Sequence, residues 1–263
     1  MSFSPVLIGN GLQKWSLLSK TRESQTSLLV AQTAVISETE HFKSQFPKVE
    51  TADDITSDRR LLKVVLGAYG LSEDLENRHF IKTIMEQGVD NADALANKLS
   101  DRRYRRLASD FDFSSGVPLN TRDPRFATQL LDGYKAESFA ISVGNVDTDM
   151  RLALGFERAL RDIVENAASP SVAWYQVLGT PPAKEVIQSA LGLPRAFGNL
   201  SIDEQHDRMR SKAQAVFGTD DLSQLAQPTA SEEIIERFLL LKQSQASATM
   251  SSRQTALMLL QSV

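Results

Sequence analysis

Apolar residues recur three and four positions apart along most of this chain, and that spacing constrains the fold more than any other feature. The apolar stripes fall within residues 61–68, 80–85, 92–99, 152–163 and 186–191. Such spacing places apolar side chains on one face of an α-helix. No run shows the strict alternation that is typical of a half-buried strand. The sequence therefore predicts an all-α fold with a body of about ten helices.

Helix start and stop signals favour the same interpretation. Asp58 and Asp101 each precede an Arg-Arg pair and an apolar run, where an aspartate can accept a hydrogen bond from a first-turn N–H group. The pairs Ser201/Glu204 and Thr229/Glu232 have the spacing of a capping box. Proline follows Asp123 and Ser169, at positions suited to the first residue of a helix. Glycines stand where helices are expected to end, at Gly70, Gly88, Gly192, Gly198 and Gly218.

Three regions of different character predict three parts. Residues 1–50 are rich in Ser, Thr and Gln and predict an N-terminal helical arm, with one long helix from Gln13 to Phe46. Residues 51–228 hold most of the aromatic residues and tight turns and predict the packed body. Residues 229–263 predict one C-terminal helix. The narrow apolar stripes of the two end helices indicate either pairing, with each other or with another chain, or a simple cover over the body.

A faint internal repeat relates two segments of the chain. Lys82–Gly88 and Lys212–Gly218 share their spacing, and each glycine is followed by Asp and then Leu. Two copies of a helical hairpin would predict two weakly related halves. Chance similarity between helix ends is the alternative.

Composition excludes several classes of protein. Hydrophobic residues make up 41% of the chain and the net charge is only −4, which excludes a mainly disordered chain. No stretch approaches the length of an apolar membrane span. The absence of cysteine excludes disulfides, thiolate catalysis and cysteine-based zinc sites. The first residues lack a basic leader and a long apolar core, so the default expectation is a cytoplasmic location.

No motif predicts a catalytic, cofactor-binding or metal site. His41, His79 and His206 have no partner at a metal-ligand spacing. The sequence contains no phosphate-binding loop and no Gly-x-Ser-x-Gly elbow. The aromatic and turn residues from Ala173 to Pro182 predict a core corner, with a recognition groove as the alternative. Because a buried acid can escape sequence detection, carboxylate chemistry near Trp174 stays as an alternative to the prediction of no enzyme.

Two groups of residues are candidates for contact with a partner protein. Four arginines surround Tyr104, and a helix would place Arg102, Arg105 and Arg106 on one face. The chain is acidic, with a pI of about 5.5, so this cluster predicts a partner-facing patch or internal salt bridges and no nucleic-acid binding. Aromatic residues are frequent interface hot spots, and the end helices offer Trp15, Phe42 and Phe238 as possible anchors.

Several segments together carry a family resemblance. The chain resembles a bacterial family of unknown function whose genes recur in flagellar gene clusters, mainly of alphaproteobacteria. The resemblance spans about residues 10–210 and implies a setting, not a reaction, because it brings no catalytic residue. The segments that carry it are Gly11–Thr21 with Trp15, Asp58–Leu62, Leu66–Leu71, Ala94–Tyr104, Trp174–Pro182, Ala190–Pro194, Phe197–Gly198 and Asp203–Gln205.

The resemblance implies a non-enzymatic helical protein that acts in flagellar assembly, export or regulation through protein–protein contacts. Flagellar axial or export proteins are the expected partners, and pairing of two copies through the end helices is a further possibility. A cytoplasmic export chaperone or adaptor is a narrower alternative, and an unrecognised carboxylate enzyme is the third. Flagellar association or leaderless export would change the default location.

Overall fold

A computed structural model describes residues 3–116 and 119–261, with the backbone alone described at residues 115, 119 and 246–261. The described residues form fourteen α-helices, five short 3-10 segments and no strand, which confirms the all-α prediction. No described helix is long and apolar enough to cross a membrane. The helices are α1 (Gly11–Val30), α2 (Thr33–Gln45), α3 (Ala52–Ser57), α4 (Arg59–Ala68), α5 (Arg78–Gln87), α6 (Leu95–Lys98), α7 (Arg102–Phe111), α8 (Pro124–Gly144), α9 (Thr148–Asn166), α10 (Pro170–Leu178), α11 (Pro181–Ala190), α12 (Ile202–Phe217), α13 (Leu222–Leu225) and α14 (Pro228–Gln261).

Most of the predicted helix starts are present. The Asp58 carboxylate accepts hydrogen bonds from the N–H groups of Arg60 and Leu61, and Asp101 accepts one from Arg103. Ser201 and Glu204 form the predicted capping box of α12. The box predicted at Thr229 and Glu232 is wrong, since α14 already begins at Pro228 and Glu232 bonds elsewhere. Local side-chain chemistry thus sets these helix starts wherever no distant partner competes.

The predicted N-terminal arm is two helices instead of one. Helix α1 ends at Val30 and α2 begins at Thr33, so the expected helix from Gln13 to Phe46 is interrupted. Gln32 takes an extended backbone conformation, with φ −71° and ψ 139°, before α2 starts. Val35 and Phe42 are buried, so the face of α2 that carries them packs against the core.

The chain divides into two compact units whose boundaries differ from the predicted arm, body and end helix. The first unit comprises residues up to Val6 together with Thr21–Val146. The second comprises Leu7–Lys20 together with the described residues from Asp147 onward. The predicted arm is therefore divided, the predicted body is cut after Val146, and the C-terminal helix belongs to the second unit.

The two segments of the faint repeat lie in different units. Lys82–Gly88 ends α5 and Lys212–Gly218 ends α12. Gly88 has φ 59° and ψ −148°, whereas Gly218 has φ 75° and ψ −1°. The matching glycines therefore end their helices with different backbone geometries.

In the first unit, α4 is the central helix. Leu62, Val64, Val65 and Leu66 are fully buried, and α4 crosses α8 closely. Glycine permits this approach: a Cβ on Gly133 would lie 3.0 Å from the backbone oxygen of Ala68. Four rings complete the core beside this crossing, at Phe42, Phe46, Phe111 and Phe126.

In the second unit, α9, α11 and α14 pack together, and Trp15 in the first half of α1 bonds to Glu232 of α14. Trp174 is buried, and its indole N–H donates to the backbone oxygen of Asp220. The corner after Trp174 is formed by Gly179 and Thr180, between α10 and α11. The aromatic segment from Ala173 to Pro182 is thus the predicted core corner.

Candidate functional site

Helix α14 is the longest described element, and it is buried where it begins. Ile234, Ile235 and Phe238 are fully buried and Leu239 almost so, whereas Leu240 is half exposed. A rise of 1.5 Å per residue carries the helix about 30 Å beyond Leu239. The described side chains from Gln243 to Gln245 are exposed. A buried root and a long continuation thus divide this helix into two parts.

Polar contacts fix the root of α14 to its neighbours in the second unit. The indole N–H of Trp15 donates to Glu232 Oε1 at 2.7 Å. Arg237 donates to the backbone oxygen of Ala190, the last residue of α11, at 2.6 Å. Lys242 forms an ion pair of 2.6 Å with Glu185. These contacts span the helix from its second turn to Lys242, so the root is held along its whole length.

The three aromatic residues predicted as contact anchors lie in the interior. Trp15 is 2% exposed, and Phe42 and Phe238 are fully buried. Trp15 and Phe238 belong to the core of the second unit, and Phe42 stacks on Phe46 in the first, with ring centroids 4.5 Å apart. None of the three possible anchors is therefore exposed for contact with a partner in this structure. The sequence could not separate core aromatics from surface aromatics, because both occupy apolar helical stripes.

A shallow depression marks the exposed side of α1. It has a volume of about 490 Å³ and is lined by Leu12, Gln13, Ser16, Leu17 and Lys20. Leu12 and Leu17 are only partly buried there, in contrast to Trp15 and Leu18 on the opposite side of the helix. The depression is open and mainly apolar, which suits contact with another protein better than enclosure of a small molecule.

The predicted arginine patch lies on α7, but its members have different roles. Leu107, Ala108 and Phe111 turn one face of α7 into the core. Arg106 is half exposed, and its Nε lies 3.8 Å from Asp110. Arg105 is exposed and Arg102 is partly exposed, and neither has an ion pair or side-chain hydrogen bond within the described part of the chain.

Arg103, the fourth arginine of the cluster, is structural. Its guanidinium donates to both carboxylate oxygens of Asp101 and to the backbone oxygen of Gly70. Burial works to lower the pKa of Arg103, but the bonds to Asp101 outweigh it and raise that pKa. The alternative of internal salt bridges thus holds for Arg103 and Arg106, whereas Arg102 and Arg105 are the members of the cluster that have no such pair among the described residues.

Tyrosine–carboxylate bonds surround the same part of α7. Tyr104 donates to Asp74 at 2.6 Å, and Tyr69 donates to Asp110 at 2.7 Å. Burial is the first cause that raises the pKa of each tyrosine, and the neighbouring carboxylate is the second. Both hydroxyls therefore stay protonated at neutral pH and act as fixed hydrogen-bond donors.

The three histidines lie in three different environments. His41 Nε2 lies 2.5 Å from the Asp58 carboxylate, and His79 is exposed. His206 is 4% exposed and stacks on Tyr175, with ring centroids 4.3 Å apart. The described residues contain no group of three or more His, Cys, Asp or Glu side chains able to hold a metal ion. The surroundings of His206 could not be predicted from sequence, because Ser171 and Tyr175 are 35 and 31 positions away in the chain.

Comparison with known proteins identifies a family and a fold. The family model described as "Protein of unknown function (DUF1217)" matches residues 68–230, more than half of the chain. No curated protein matches the chain. An X-ray crystal structure of a protein from Agrobacterium tumefaciens, solved by a structural genomics consortium, has a TM-score of 0.70. The match covers 92% of this chain and 98% of that protein at 23% sequence identity, so the likeness concerns the fold alone.

Proposed function

We propose that this chain, which belongs to the DUF1217 family of proteins of unknown function, has its main role in protein–protein contacts within the flagellar system. The single observation that supports contacts is α14, whose buried root is followed by a long helical continuation. The flagellar setting rests on the family resemblance of the sequence. Flagellar axial or export proteins are the proposed partners.

The sequence of the continuation suits a helical partner. Met250, Leu257 and Leu260 occupy a and d positions of one heptad register, and Arg253 takes the d position between the first two. Apolar a and d residues favour helix pairing, and one charged residue among them restricts the choice of partner. The proposed partner segment is therefore a helix with an apolar stripe and an acidic residue opposite Arg253.

A pull-down from native cells tests this proposal. We compare the full chain with a chain that ends at Gln245, which keeps every buried residue of the root of α14. We expect mass spectrometry to find flagellar axial or export proteins with the full chain and to lose them with the shorter one. Absence of flagellar proteins from both samples would contradict the flagellar setting.

Point variants test whether binding needs the apolar a and d positions or only the presence of the helical segment. In L257D/L260D, two charges are placed in the a and d stripe, and in the matched control S251D/T255D the same charges lie outside it. We expect loss of the partner only in the first variant, because a charge in a packed seam is costly. Equal binding by both would show that this stripe is not the contact.

Cell fractionation distinguishes the two flagellar roles. An axial or structural part should appear in sheared filaments or basal structures. A cytoplasmic chaperone or adaptor should form a complex with one axial subunit and be absent from the finished filament. Loss of motility on clean deletion is expected for both roles, and normal motility with normal secretion of flagellar proteins would contradict both.

Arg102 and Arg105 provide a second surface for an acidic partner. Charged groups at an interface rim mainly raise the association rate, and salt weakens their effect. For R102E/R105E we expect slower association at low salt and a smaller difference at high salt, measured by surface plasmon resonance with the captured partner. The control R125E changes an arginine that is 89% exposed and already paired with Asp123. Equal rates for both variants would remove α7 from the interface.

A further inference from the structure

The first turn of α10 and the second turn of α12 bring a serine into contact with a histidine that an aspartate follows in the chain. Ser171 Oγ lies 3.3 Å from His206 Nε2, and the two residues are 35 positions apart in the chain. The other ring nitrogen, His206 Nδ1, lies 2.9 Å from Asp207 Oδ1. Hydroxyl, imidazole and carboxylate thus stand in series, which is the order that activates a serine nucleophile.

The surroundings fix the imidazole and leave the hydroxyl accessible. The His206 ring stacks on Tyr175 at an interplanar angle of 12°, and the Tyr175 hydroxyl donates to Asp203 at 2.7 Å. His206 is almost completely buried, whereas Ser171 is exposed. A base held in one orientation beside an exposed hydroxyl is favourable for general-base catalysis.

A backbone donor stands at the same serine. Ser171 is the second residue of α10, where first-turn N–H groups have no partner within the helix. The N–H groups of Val172 and Ala173 donate to the side chain and backbone of Ser169. The N–H of Ser171 has no acceptor within the described part of the chain. It lies at the positive end of the helix, so it can stabilise an oxyanion formed at Ser171.

Charge and apolar exposure indicate the class of substrate. Asp203 and Asp207 lie on α12 on either side of His206 in sequence, and they disfavour an anionic substrate. Val172, next to Ser171, is 36% exposed, and Ile202, one helical turn before His206, is 51% exposed. These side chains offer apolar surface to a short acyl chain. An uncharged ester with a small apolar acyl group fits this combination.

We propose that Ser171 is a nucleophile that His206 activates for acyl transfer from small uncharged esters. Ser171 Oγ attacks the ester carbonyl and transfers its proton to His206 Nε2, while the oxyanion is held by the N–H of Ser171. The bond to the alcohol breaks, and His206 returns the proton to the leaving oxygen. Water attacks the acylated serine by the same route and releases the carboxylic acid. Asp207 is a positioning residue that orients the ring and stabilises the imidazolium.

This inference goes beyond the proposed contact role and adds an activity where the sequence predicts none. A purely structural alternative exists, in which the Ser171–His206 contact only joins α10 to α12. The alternative also explains the geometry, but it gives Ser171 no enhanced reactivity.

Covalent labelling of the purified full chain decides between them. The probes are a fluorophosphonate, with intact mass and peptide mapping, and 4-nitrophenyl acetate, with release of 4-nitrophenolate. We expect one probe group per chain, located on Ser171, and a burst of nitrophenolate of about one equivalent. An absent adduct, or one spread over several serines, would overturn the proposal.

Variants test the role of each residue. Ser171→Ala should abolish labelling, and because Ser171 is exposed this variant should keep its helical content. His206→Gln should slow labelling by about 100-fold or more, and Asp207→Asn by a smaller factor. Ser211→Ala, an exposed serine of α12, is the matched control and should label at the normal rate. Normal labelling of the folded S171A chain would overturn the proposal even if H206Q failed to fold. None of these assays needs a partner protein, so their result is independent of the pull-down.

Discussion

At the scale of single residues, the Asp58 carboxylate has two roles, as the cap of α4 and as the partner of His41 in an ion pair. Its carboxylate accepts from the first N–H groups of α4 and also lies against His41 of α2. Partial burial works to raise the pKa of Asp58, but the hydrogen bond from His41 and those from the Leu61 and Arg60 N–H groups lower it overall. A lowered pKa means that folding favours the ionised carboxylate.

Two substitutions at Asp58 separate these contributions. Asp58→Ala removes both cap and charge and should cost about 1–2 kcal/mol of unfolding free energy at pH 7. Asp58→Asn keeps a capping oxygen and should cost less. The charge contributes fully above the unfolded pKa of about 3.9, and this contribution is lost as pH falls through the lower folded pKa, so the deficit of D58N should shrink over that range. Urea unfolding at pH 7 and at low pH measures this, with the exposed Asp90→Asn as control. An Asn variant whose deficit is independent of pH would contradict the account.

Glu232 is the opposite case, because burial is the main cause that raises its pKa. The hydrogen bond from Trp15 lowers the pKa only in part, and the Glu157 and Glu236 carboxylates raise it further. Ionised Glu232 is therefore disfavoured in the folded chain. Stability is lost as pH rises from the unfolded glutamate pKa, about 4.3, through the higher folded one.

A neutral side chain at position 232 should relieve that cost. Gln keeps an oxygen that accepts from Trp15, so Glu232→Gln should be more stable than the wild type at pH 8 and equal to it near pH 3. Thermal unfolding at the two pH values measures the difference. A variant that is less stable at pH 8 would mean that the charged hydrogen bond outweighs burial.

At the scale of elements, the sequence predicts what local chemistry decides. Asp58, Asp101 and Ser201 cap their helices because the groups they bond are two or three residues away. The break between α1 and α2 was missed, because no proline or glycine marks Ala31–Gln32. There, the extended backbone of Gln32 lets α2 start anew.

Residues whose partners are distant in sequence could not be assigned. Trp15 meets Glu232 across 217 positions, and Ser171 meets His206 across 35. Apolar periodicity shows that Trp15 and Phe238 lie on an inward face of some kind, but it does not tell a core from a partner surface. For this reason the burial of the three possible anchors could not be predicted, and the serine–histidine pair could not be detected.

At the crossing of α4 and α8, replacing a glycine by alanine should destabilise the protein, although alanine has the higher helix propensity. A Cβ on Gly133 would lie 3.0 Å from the Ala68 oxygen and 3.1 Å from its Cα, and backbone atoms cannot move aside cheaply. Gly133→Ala should therefore lose about 1–3 kcal/mol of unfolding free energy through overpacking.

In α9, a Cβ on Gly155 meets Pro182 at an ordinary 3.4 Å. Gly155→Ala should be neutral or gain up to about 1 kcal/mol. Urea unfolding compares the two, and a stabilised G133A would show that the helices can separate at no cost.

At the scale of the whole molecule, tryptophan fluorescence can follow the unfolding of one of the two units. Both tryptophans, Trp15 and Trp174, are buried in the second unit, so tryptophan emission reports on that unit alone. The predicted boundary at residue 228 would have made α14 a separate part. Its root instead supplies four buried apolar side chains to the second unit, at Ile234, Ile235, Phe238 and Leu239.

Two truncations test whether α14 is one part or two. Burial of a large apolar side chain stabilises by about 1.5–3 kcal/mol, so loss of the four root residues approaches the whole stability of a typical domain. A chain that ends at Gln227 should therefore show red-shifted tryptophan emission and no cooperative unfolding of the second unit. A chain that ends at Gln245 keeps the root, and its melting temperature should stay within about 2–4 °C of the full chain. If the chain that ends at Gln227 kept the emission of the full chain, the root of α14 would only cover the second unit, and the predicted boundary at residue 228 would be correct. If the chain that ends at Gln245 also showed shifted emission, the continuation would be part of the folded core and unavailable to a partner.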